Sequence, residues 1–193
     1  MQTERQIQII ESSIEIISKK GIQGLTIKNL SKKIGISEPA IYRHFDSKIE
    51  ILLTILNNFN EMATFLGGLM SSNSGSATEK IEFMFSRIIE IFSETPSFVS
   101  VIFSEEIFKN EEILKKKIIA IMDMNEITIE KIIQKGQEDG EIRTDINYTS
   151  LALIVMGALR LKVKQWDLKN YSGDLKSEGN ELINTLKIIL TGK

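Results

Sequence analysis

Apolar residues recur along the chain at intervals of three and four positions, the spacing of one face of an α-helix. Ile7, Ile10, Ile14 and Ile17 form the first such stripe. Abundant isoleucine by itself favours strands, but segments such as IESSIEII and EKIIQKG lack the alternation that a half-buried strand requires. With only two prolines to interrupt it, the pattern predicts an all-α protein.

Capping residues and glycines divide this pattern into separate helices. Two lysines before Gly21 end the first helix, Thr26 caps the second, and Gly35 separates the second from the third. The stretch GGLMSSNSGSA, residues 67–77, is predicted to be flexible because glycine and serine dominate it.

The pattern predicts helices up to residue 20, at 27–34, 38–45 and 47–66, from 77 through 92, and at 96–108, 110–138 and 148–168. Ser47 and Glu50 form a capping box at the start of the fourth helix. Ser172 or Asp174 begins a last helix that is firm over 178–190.

Composition excludes several classes of site. The 193 residues contain no cysteine, so disulfides, thiolate metal sites and cysteine nucleophiles are excluded, and a single histidine excludes multi-histidine metal centres. We therefore expect no metal and no cofactor.

No apolar run approaches the roughly 20 residues that span a bilayer, and the N-terminus lacks the apolar core of a signal peptide. These features predict a soluble, cytoplasmic protein with no membrane partner.

Charge is distributed unevenly along the chain. The net charge is only −2, yet residues 1–50 carry eight basic side chains against six acidic ones. A locally basic surface on a nearly neutral protein is compatible with nucleic-acid binding, and equally with an ordinary solvated face.

The segment IGISEPAIYRHFDSK, residues 34–48, has the layout of a helix-turn-helix. Gly35 supplies the left-handed turn between two short helices, and Ser37 with the free amides that follow it forms a natural phosphate site. The short side chain of Ala40 permits a close approach to a thymine methyl group. Ile41 and Phe45 are predicted to point into a three-helix core.

The remaining side chains of this segment are predicted to reach the DNA backbone. Tyr42, Arg43 and His44 lie on the faces that Ile41 leaves free. Lys48 begins the fourth helix, where the macrodipole disfavours a cation and a nearby phosphate would remove the conflict.

The sequence LTIKNLSKKIGISEPAIYRHFDSKIEIL, within residues 5–55, resembles the DNA-binding domain of TetR-family transcriptional regulators. The resemblance implies that five residues contact phosphates and that Glu38, Pro39, Ala40 and Arg43 read or abut bases. A carboxylate at Glu38 departs from the lysine often found there, so Glu38 either accepts from cytosine or faces away. The implied phosphate contacts are Thr26, Ser37, Tyr42, His44 and Lys48, and Lys28 completes the predicted DNA-binding set.

The same resemblance implies two domains and a homodimer. A helix-turn-helix domain occupies residues 1–48, and a ligand-binding and dimerisation domain occupies 49–193. The last two helices are expected to pair with their copies in a second subunit, and the small pair Gly157-Ala158 permits close approach of two helices. Each of these helices carries an apolar stripe. The alternative is that either stripe packs in the core of its own chain. The predicted dimer residues are Leu151, Val155, Ala158, Lys162, Leu182, Leu186 and Ile189.

The middle helices supply aromatic and thioether side chains suited to an adaptable pocket for a small apolar or amphipathic effector. The alternative is a filled core. Arg87 and Arg160 are candidate polar anchors, or side chains that extend to solvent. The predicted ligand-binding residues are Met62, Phe65, Met84, Arg87, Ile88, Phe92, Phe103, Met122, Met156 and Arg160.

The favoured function is therefore a ligand-responsive repressor that binds double-stranded operator DNA and is released by the effector. We expect no enzymatic activity. Two other classes stay open. A helical-bundle enzyme is possible in principle, but the chain has neither Glu-x-x-His pairs nor a glycine-rich phosphate loop. A DNA-bound protein that binds a partner, such as a division inhibitor without an effector, is the other alternative.

Overall fold

A computed structural model describes residues 2–72, 74–103 and 111–192, and every regular element in these ranges is an α-helix. This confirms the all-α prediction. None of the described helices is both long and apolar enough to cross a membrane. The helices are α1 (Glu4–Gly24), α2 (Ile27–Ile34), α3 (Glu38–Tyr42), α4 (Lys48–Ser72), α5 (Ala77–Glu94), α6 (Ser97–Ile102), α7 (Glu112–Glu138), α8 (Tyr148–Leu168) and α9 (Leu175–Thr191).

Residues that the sequence identified as helix breakers and caps shape the N-terminal helices. Gly21 interrupts α1 with φ 65° and ψ −179°, a conformation that glycine adopts without a Cβ clash. The side-chain oxygen of Thr26 accepts from the amide of Asn29 at 3.1 Å and caps α2, while the Asn29 side chain donates to the carbonyl of Gly24 at 2.8 Å. Gly35 is left-handed, with φ 79°, as the helix-turn-helix prediction requires.

The ends of α3 and α4 differ from the prediction. α3 ends at Tyr42 rather than Phe45. α4 runs on to Ser72, so the glycine pair Gly67–Gly68 is helical. The prediction that residues 67–72 belong to a flexible stretch is therefore wrong. Leu66 and Met70, one turn apart, are both buried. Their burial continues the apolar face of α4 and outweighs the helix penalty of about 1 kcal/mol that each glycine carries.

The predicted end of the sixth helix at Phe108 lies outside the described residues. The last helix begins at Leu175, three residues before the segment predicted to be firm, because Asp174 caps it and Leu175 is buried.

The chain forms two compact units. The first comprises Met1–Glu61 and Ser97–Ala120, and the second comprises Met62–Pro96 and Ile121–Lys193. The units thus divide along α4 and α7 and not at residue 48. The assignment of separate functions to residues 1–48 and 49–193 remains a prediction.

Glycines allow close helix packing in the second unit, where α5 packs against α9 and α9 against α8. A Cβ at Gly179 of α9 would lie 2.3 Å from the Ile89 side chain of α5. A Cβ at Gly136 of α7 would lie 2.6 Å from the Cβ of Ala77. An ordinary contact is longer than 3.4 Å, so a larger residue at either position forces the neighbour to move.

We expect Gly136→Ala to lower the free energy of unfolding by about 1–2 kcal/mol, because overpacking costs ~1–3 kcal/mol and the gain in helix propensity returns at most ~1 kcal/mol. The obstructing atom is the Cβ of Ala77, which cannot rotate away. Urea unfolding followed by circular dichroism measures the change. Gly68→Ala is the matched control: its Cβ meets no atom within 4 Å, so this variant should be unchanged or up to ~1 kcal/mol more stable. Equal stability of Gly136→Ala and the unmodified chain would contradict the close contact.

Candidate nucleic-acid interface and effector region

Two buried side chains fix the orientation of α3. Ile41 is fully buried and Phe45 nearly so, which confirms the predicted core position of both. With Ile41 directed inward, Pro39 and Arg43 lie on the opposite side of the helix. Glu38 lies one helical turn before Tyr42, on a flank of the same exposed surface. The segment therefore presents its polar side chains to solvent.

The turn before α3 leaves hydrogen-bonding groups available. The amides of Gly35 and Ile36 both donate to the carbonyl of Ser31, at 2.9 and 3.1 Å, which closes the end of α2. Ser37 occupies the N-cap of α3 in an extended conformation, as predicted, but its hydroxyl makes no capping hydrogen bond. A hydroxyl beside the first amides of a helix is a suitable donor to a phosphate oxygen.

Lys48 stands at the first position of α4. Half of the predicted capping box is present: the hydroxyl of Ser47 accepts from the amide of Glu50 at 3.2 Å, whereas the Glu50 carboxylate accepts from the amide of Asp46, one residue before the predicted cap. Lys48 is half-buried, and no ion pair to it occurs within the described ranges. Its charge thus stays close to the protein surface at the positive end of a helix.

The rest of the predicted DNA-binding set lies around these residues. Tyr42 is 49% exposed and Arg43 is exposed. The His44 backbone is held between α1 and α3, since its carbonyl accepts from the Gln6 side chain at 3.4 Å and its amide donates to the carbonyl of Ile41 at 2.9 Å. Thr26, at the N-cap of α2, and Lys28, Glu38 and Pro39 are exposed, and Ala40 and His44 are half-buried.

Not every lysine of this unit is available for an external anion. Lys33 donates to Glu15 at 2.7 Å, and this hydrogen bond, with the charges of Lys33 and Lys19, holds the pKa of Glu15 below its ordinary value. Lys28 and Lys32 lie one turn apart on α2. The predicted DNA-binding set does not include Lys32, which is exposed and lies on the same helix face as Lys28 because the two are four residues apart.

The predicted effector residues are dispersed. All but Phe103 lie in the second unit, and Phe103 lies in the first. Phe92 is a core residue, whereas Phe65 and Met122 are exposed. The half-buried members of the set are Met62, Met84, Ile88, Phe103 and Met156.

Neither candidate arginine is a buried polar anchor. Arg87 is an exposed side chain paired with Glu90 at 2.5 Å, three residues later on α5. Arg160 is also exposed. Both side chains reach the surface because they lie on the solvent side of their helices, which is the second of the two interpretations that the sequence left open.

A crevice of about 10 Å³ lies between α5 and α9 in the second unit. This volume is at the lower limit of the ~10–15 Å³ that one water molecule needs. Glu82 and Lys187 form an ion pair across its edge. The crevice therefore does not accommodate an organic effector in this conformation.

Three of the predicted dimer residues are core residues of the chain itself, which corrects their assignment. Leu151, Val155 and Leu186 are 0%, 1% and 2% exposed, so their side chains are not accessible to a second subunit. Lys162 pairs with Glu178 of α9 at 3.0 Å within the same chain. Ala158, Leu182 and Ile189 are half-buried.

A different apolar stripe of α8 faces outward. Ile154, Leu161 and Leu168 are 43%, 60% and 71% exposed and follow one another at intervals of seven residues. Gly157 lies on the same face, and a Cβ added to it would meet no atom within 4 Å. Seven-residue spacing of apolar side chains is typical of a surface that packs against another helix. On α9, Ile188 is exposed as well.

Comparisons with known proteins agree with a helix-turn-helix segment followed by a larger C-terminal region. Residues 9–55 match the model for bacterial regulatory proteins of the tetR family. Residues 60–190 match the model for the C-terminal region of YsiA-like proteins.

Similar proteins cover much of the chain. The fatty acid metabolism regulator protein of Bacillus subtilis (strain 168) is 21% identical over 182 residues, 93% of this chain and 92% of that protein. The nucleoid occlusion factor SlmA of Actinobacillus pleuropneumoniae serotype 5b (strain L20) is 24% identical over 135 residues, 69% of this chain and 67% of that protein.

A solved structure, the transcriptional regulator FadR from Bacillus subtilis in complex with stearoyl-CoA, has the same fold, with a TM-score of 0.81 and 19% identity over 95% of this chain and 98% of that chain. Two of these proteins are named as regulators and the third as a nucleoid occlusion factor. Since the two family models together account for both the helix-turn-helix segment and the larger C-terminal region, the chain belongs to the TetR family of bacterial regulatory proteins.

Proposed function

We propose that the chain is a repressor that binds two-fold symmetric operator DNA as a homodimer and is released by a long-chain acyl-CoA. The observation that carries the proposal is the match of residues 60–190 to the YsiA-like C-terminal region beside the helix-turn-helix match at 9–55. A relative with the same fold was solved with stearoyl-CoA, an amphipathic molecule of the class expected from the sequence.

The exposed side of α3 supports DNA binding in a major groove. Ser37, Tyr42 and Lys48 provide two hydroxyls and a cation around the outer faces of a short helix, which suits contacts to phosphates on either side of a groove. Such contacts position the protein and do not select sequence. Removing one of them should therefore weaken binding to every DNA sequence alike.

We expect Lys48→Ala to weaken binding to all duplexes and to flatten the plot of log affinity against log salt by about one unit per bound subunit. Tyr42→Phe should also weaken binding uniformly, with an unchanged salt dependence. Fluorescence anisotropy over a series of salt concentrations measures both. Lys131→Ala, an exposed lysine of α7 in the second unit, is the control and should leave the slope unaltered. The phosphate role of Lys48 is refuted by a slope that stays the same in Lys48→Ala.

The outward stripe of α8 supports the homodimer. Ile154, Leu161 and Leu168 expose apolar surface in the isolated chain, and Gly157 lets a second helix approach between them. Pairing with a second copy removes this surface from water, at about 25 cal/mol for each Å² buried. A two-fold dimer also matches an operator made of two half-sites.

We expect Leu161→Glu to yield monomers with unchanged helicity and a large loss of operator affinity, because Leu161 is exposed in the free chain and buried only in the proposed dimer. Sedimentation and circular dichroism distinguish this from unfolding. Ile127→Glu, at another exposed apolar residue, on α7, should remain dimeric. A charge at Leu186 should instead unfold the chain, since this residue is in the core. A dimer that persists in Leu161→Glu would rule out this face.

Release by an effector requires a second conformation of the C-terminal region. The crevice between α5 and α9 is too small for an acyl chain, and Gly136 and Gly179 hold helices of this unit in close contact. The acyl-CoA must bind a conformation with a more open interior, in which the two copies of α3 do not fit adjacent half-sites. Only a ligand that binds this conformation more tightly than the DNA-binding one shifts the equilibrium toward it and so releases the protein from the operator.

We expect stearoyl-CoA to bind the free protein about 5- to 150-fold more tightly than the operator complex, and operator to lose the same factor in affinity when stearoyl-CoA is bound. Calorimetric titrations with and without operator test both directions of the linkage. Coenzyme A without an acyl chain is the matched control and should not release the operator. Equal stearoyl-CoA affinities in the two titrations would exclude it as the effector.

The likeness to SlmA keeps one other function in view. That protein is a nucleoid occlusion factor, and it matches this chain at 24% identity over 135 residues. A DNA-bound protein that acts through a partner would bind operator as proposed, but its operator affinity would not change with any acyl-CoA. Repeating the titrations with acyl-CoA thioesters of several chain lengths thus separates the two functions.

A further inference from the structure

Glu38 is an acidic side chain on the exposed side of α3, the helix that we propose binds DNA. Glu38 is the first residue of α3 and is exposed. Within the described residues its carboxylate has no hydrogen bond and no ion pair, whereas the acid Glu15 of the same unit is paired with Lys33. Lys28, Lys32 and Arg43 near Glu38 are basic. Asp46 is a second exposed acid without a side-chain partner among the described residues, but it follows α3, whereas Glu38 lies within it.

The carboxylate of Glu38 carries a negative charge, so it does not attract DNA phosphates as its basic neighbours do. Near the phosphates of a duplex it is repelled, and the repulsion is partly offset only by the positive end of α3. A base edge compensates for the repulsion if it offers a hydrogen-bond donor. In the major groove, cytosine and adenine each offer an exocyclic amino donor, whereas guanine and thymine offer acceptors. The amino group of adenine lies beside its N7 acceptor, which repels a carboxylate, so cytosine is the preferred partner.

We infer that Glu38 is a specificity-determining residue that accepts a hydrogen bond from the N4 amino group of one cytosine in each half-site. The inference rests on the proposed placement of α3 in the major groove. Glu38 adjoins Tyr42 by one helical turn, and Pro39 and Ala40 beside it are too short to keep the helix away from the base edges. The carboxylate excludes sequences that present guanine O6 or thymine O4 at the same place, because each would face it with an acceptor.

The test begins with selection of duplexes from a random pool by the full chain and by Glu38→Ala. The unmodified chain should enrich a sequence with a required cytosine at one position of each half-site. Glu38→Ala should select the same sequence with that single requirement lost. Glu11→Ala, which removes an exposed acid from α1, is the matched control and should select as the unmodified chain does.

A chemical probe then identifies the atom. In a duplex, one N4 hydrogen of cytosine pairs with guanine and the other faces the major groove. N4-methylcytosine retains the pair and replaces the groove hydrogen by a methyl group. At the required position this base should weaken binding of the unmodified chain by about 5- to 100-fold and should leave Glu38→Ala unaffected.

A structural role at the start of α3 gives a different result. If Glu38 served only to stabilise the helix, Glu38→Ala would weaken binding to all duplexes and leave the selected bases unchanged. The inference expects the opposite: binding of Glu38→Ala to unrelated DNA should become tighter at low salt, because a repelled charge has been removed.

Three results would overturn the inference. These are identical selected sequences for the two proteins, a requirement for adenine at the affected position, and equal sensitivity of both proteins to N4-methylcytosine. A pool that the unmodified chain does not enrich at all would overturn the proposed DNA-binding function and the inference with it.

Discussion

Burial of Ile41 and Phe45 is the constraint on which the DNA-facing surface depends. α3 contains only five residues and has too few internal hydrogen bonds to be stable by itself. Its position comes from Ile41, which is fully buried, and from the left-handed turn at Gly35 that joins it to α2. Once these two features are fixed, the directions of Glu38, Tyr42 and Arg43 follow from helix geometry.

The same constraint explains why polar side chains surround this helix. Side chains near α3 that do not contact the core are available for contacts outside the chain, and the hydroxyl of Ser37 makes no capping hydrogen bond. In contrast, Lys33 and Glu15 neutralise each other. Lys48, at the start of α4, has no such partner among the described residues.

The C-terminal region is organised by close helix contacts. Gly136 and Gly179 bring α7 and α9 within contact distance of α5, where any larger residue would collide. A closely packed interior changes between discrete arrangements more readily than it deforms gradually. This property suits a regulator, since an effector that needs internal space can bind only by selecting a different arrangement of the helices.

The sequence by itself determined the helices, their caps and the position of the DNA-binding segment. Thr26, Gly35, Ser47 and Asp174 act through residues no more than four positions away, so local chemistry was sufficient to identify them. Most of the predicted DNA-binding residues belong to the motif at residues 34–48, and the structure places that motif on and beside one short helix.

Only the tertiary structure decided which side of each C-terminal helix is buried. α8 has two apolar stripes: Leu151 and Val155 lie in the core, while Ile154, Leu161 and Leu168 face outward. Periodicity identifies both stripes but does not reveal which one packs against the same chain, because that choice depends on residues distant in sequence. For the same reason the glycine pair 67–68 remains helical in α4: burial of the neighbouring apolar side chains within the second unit decides it, and local propensity does not.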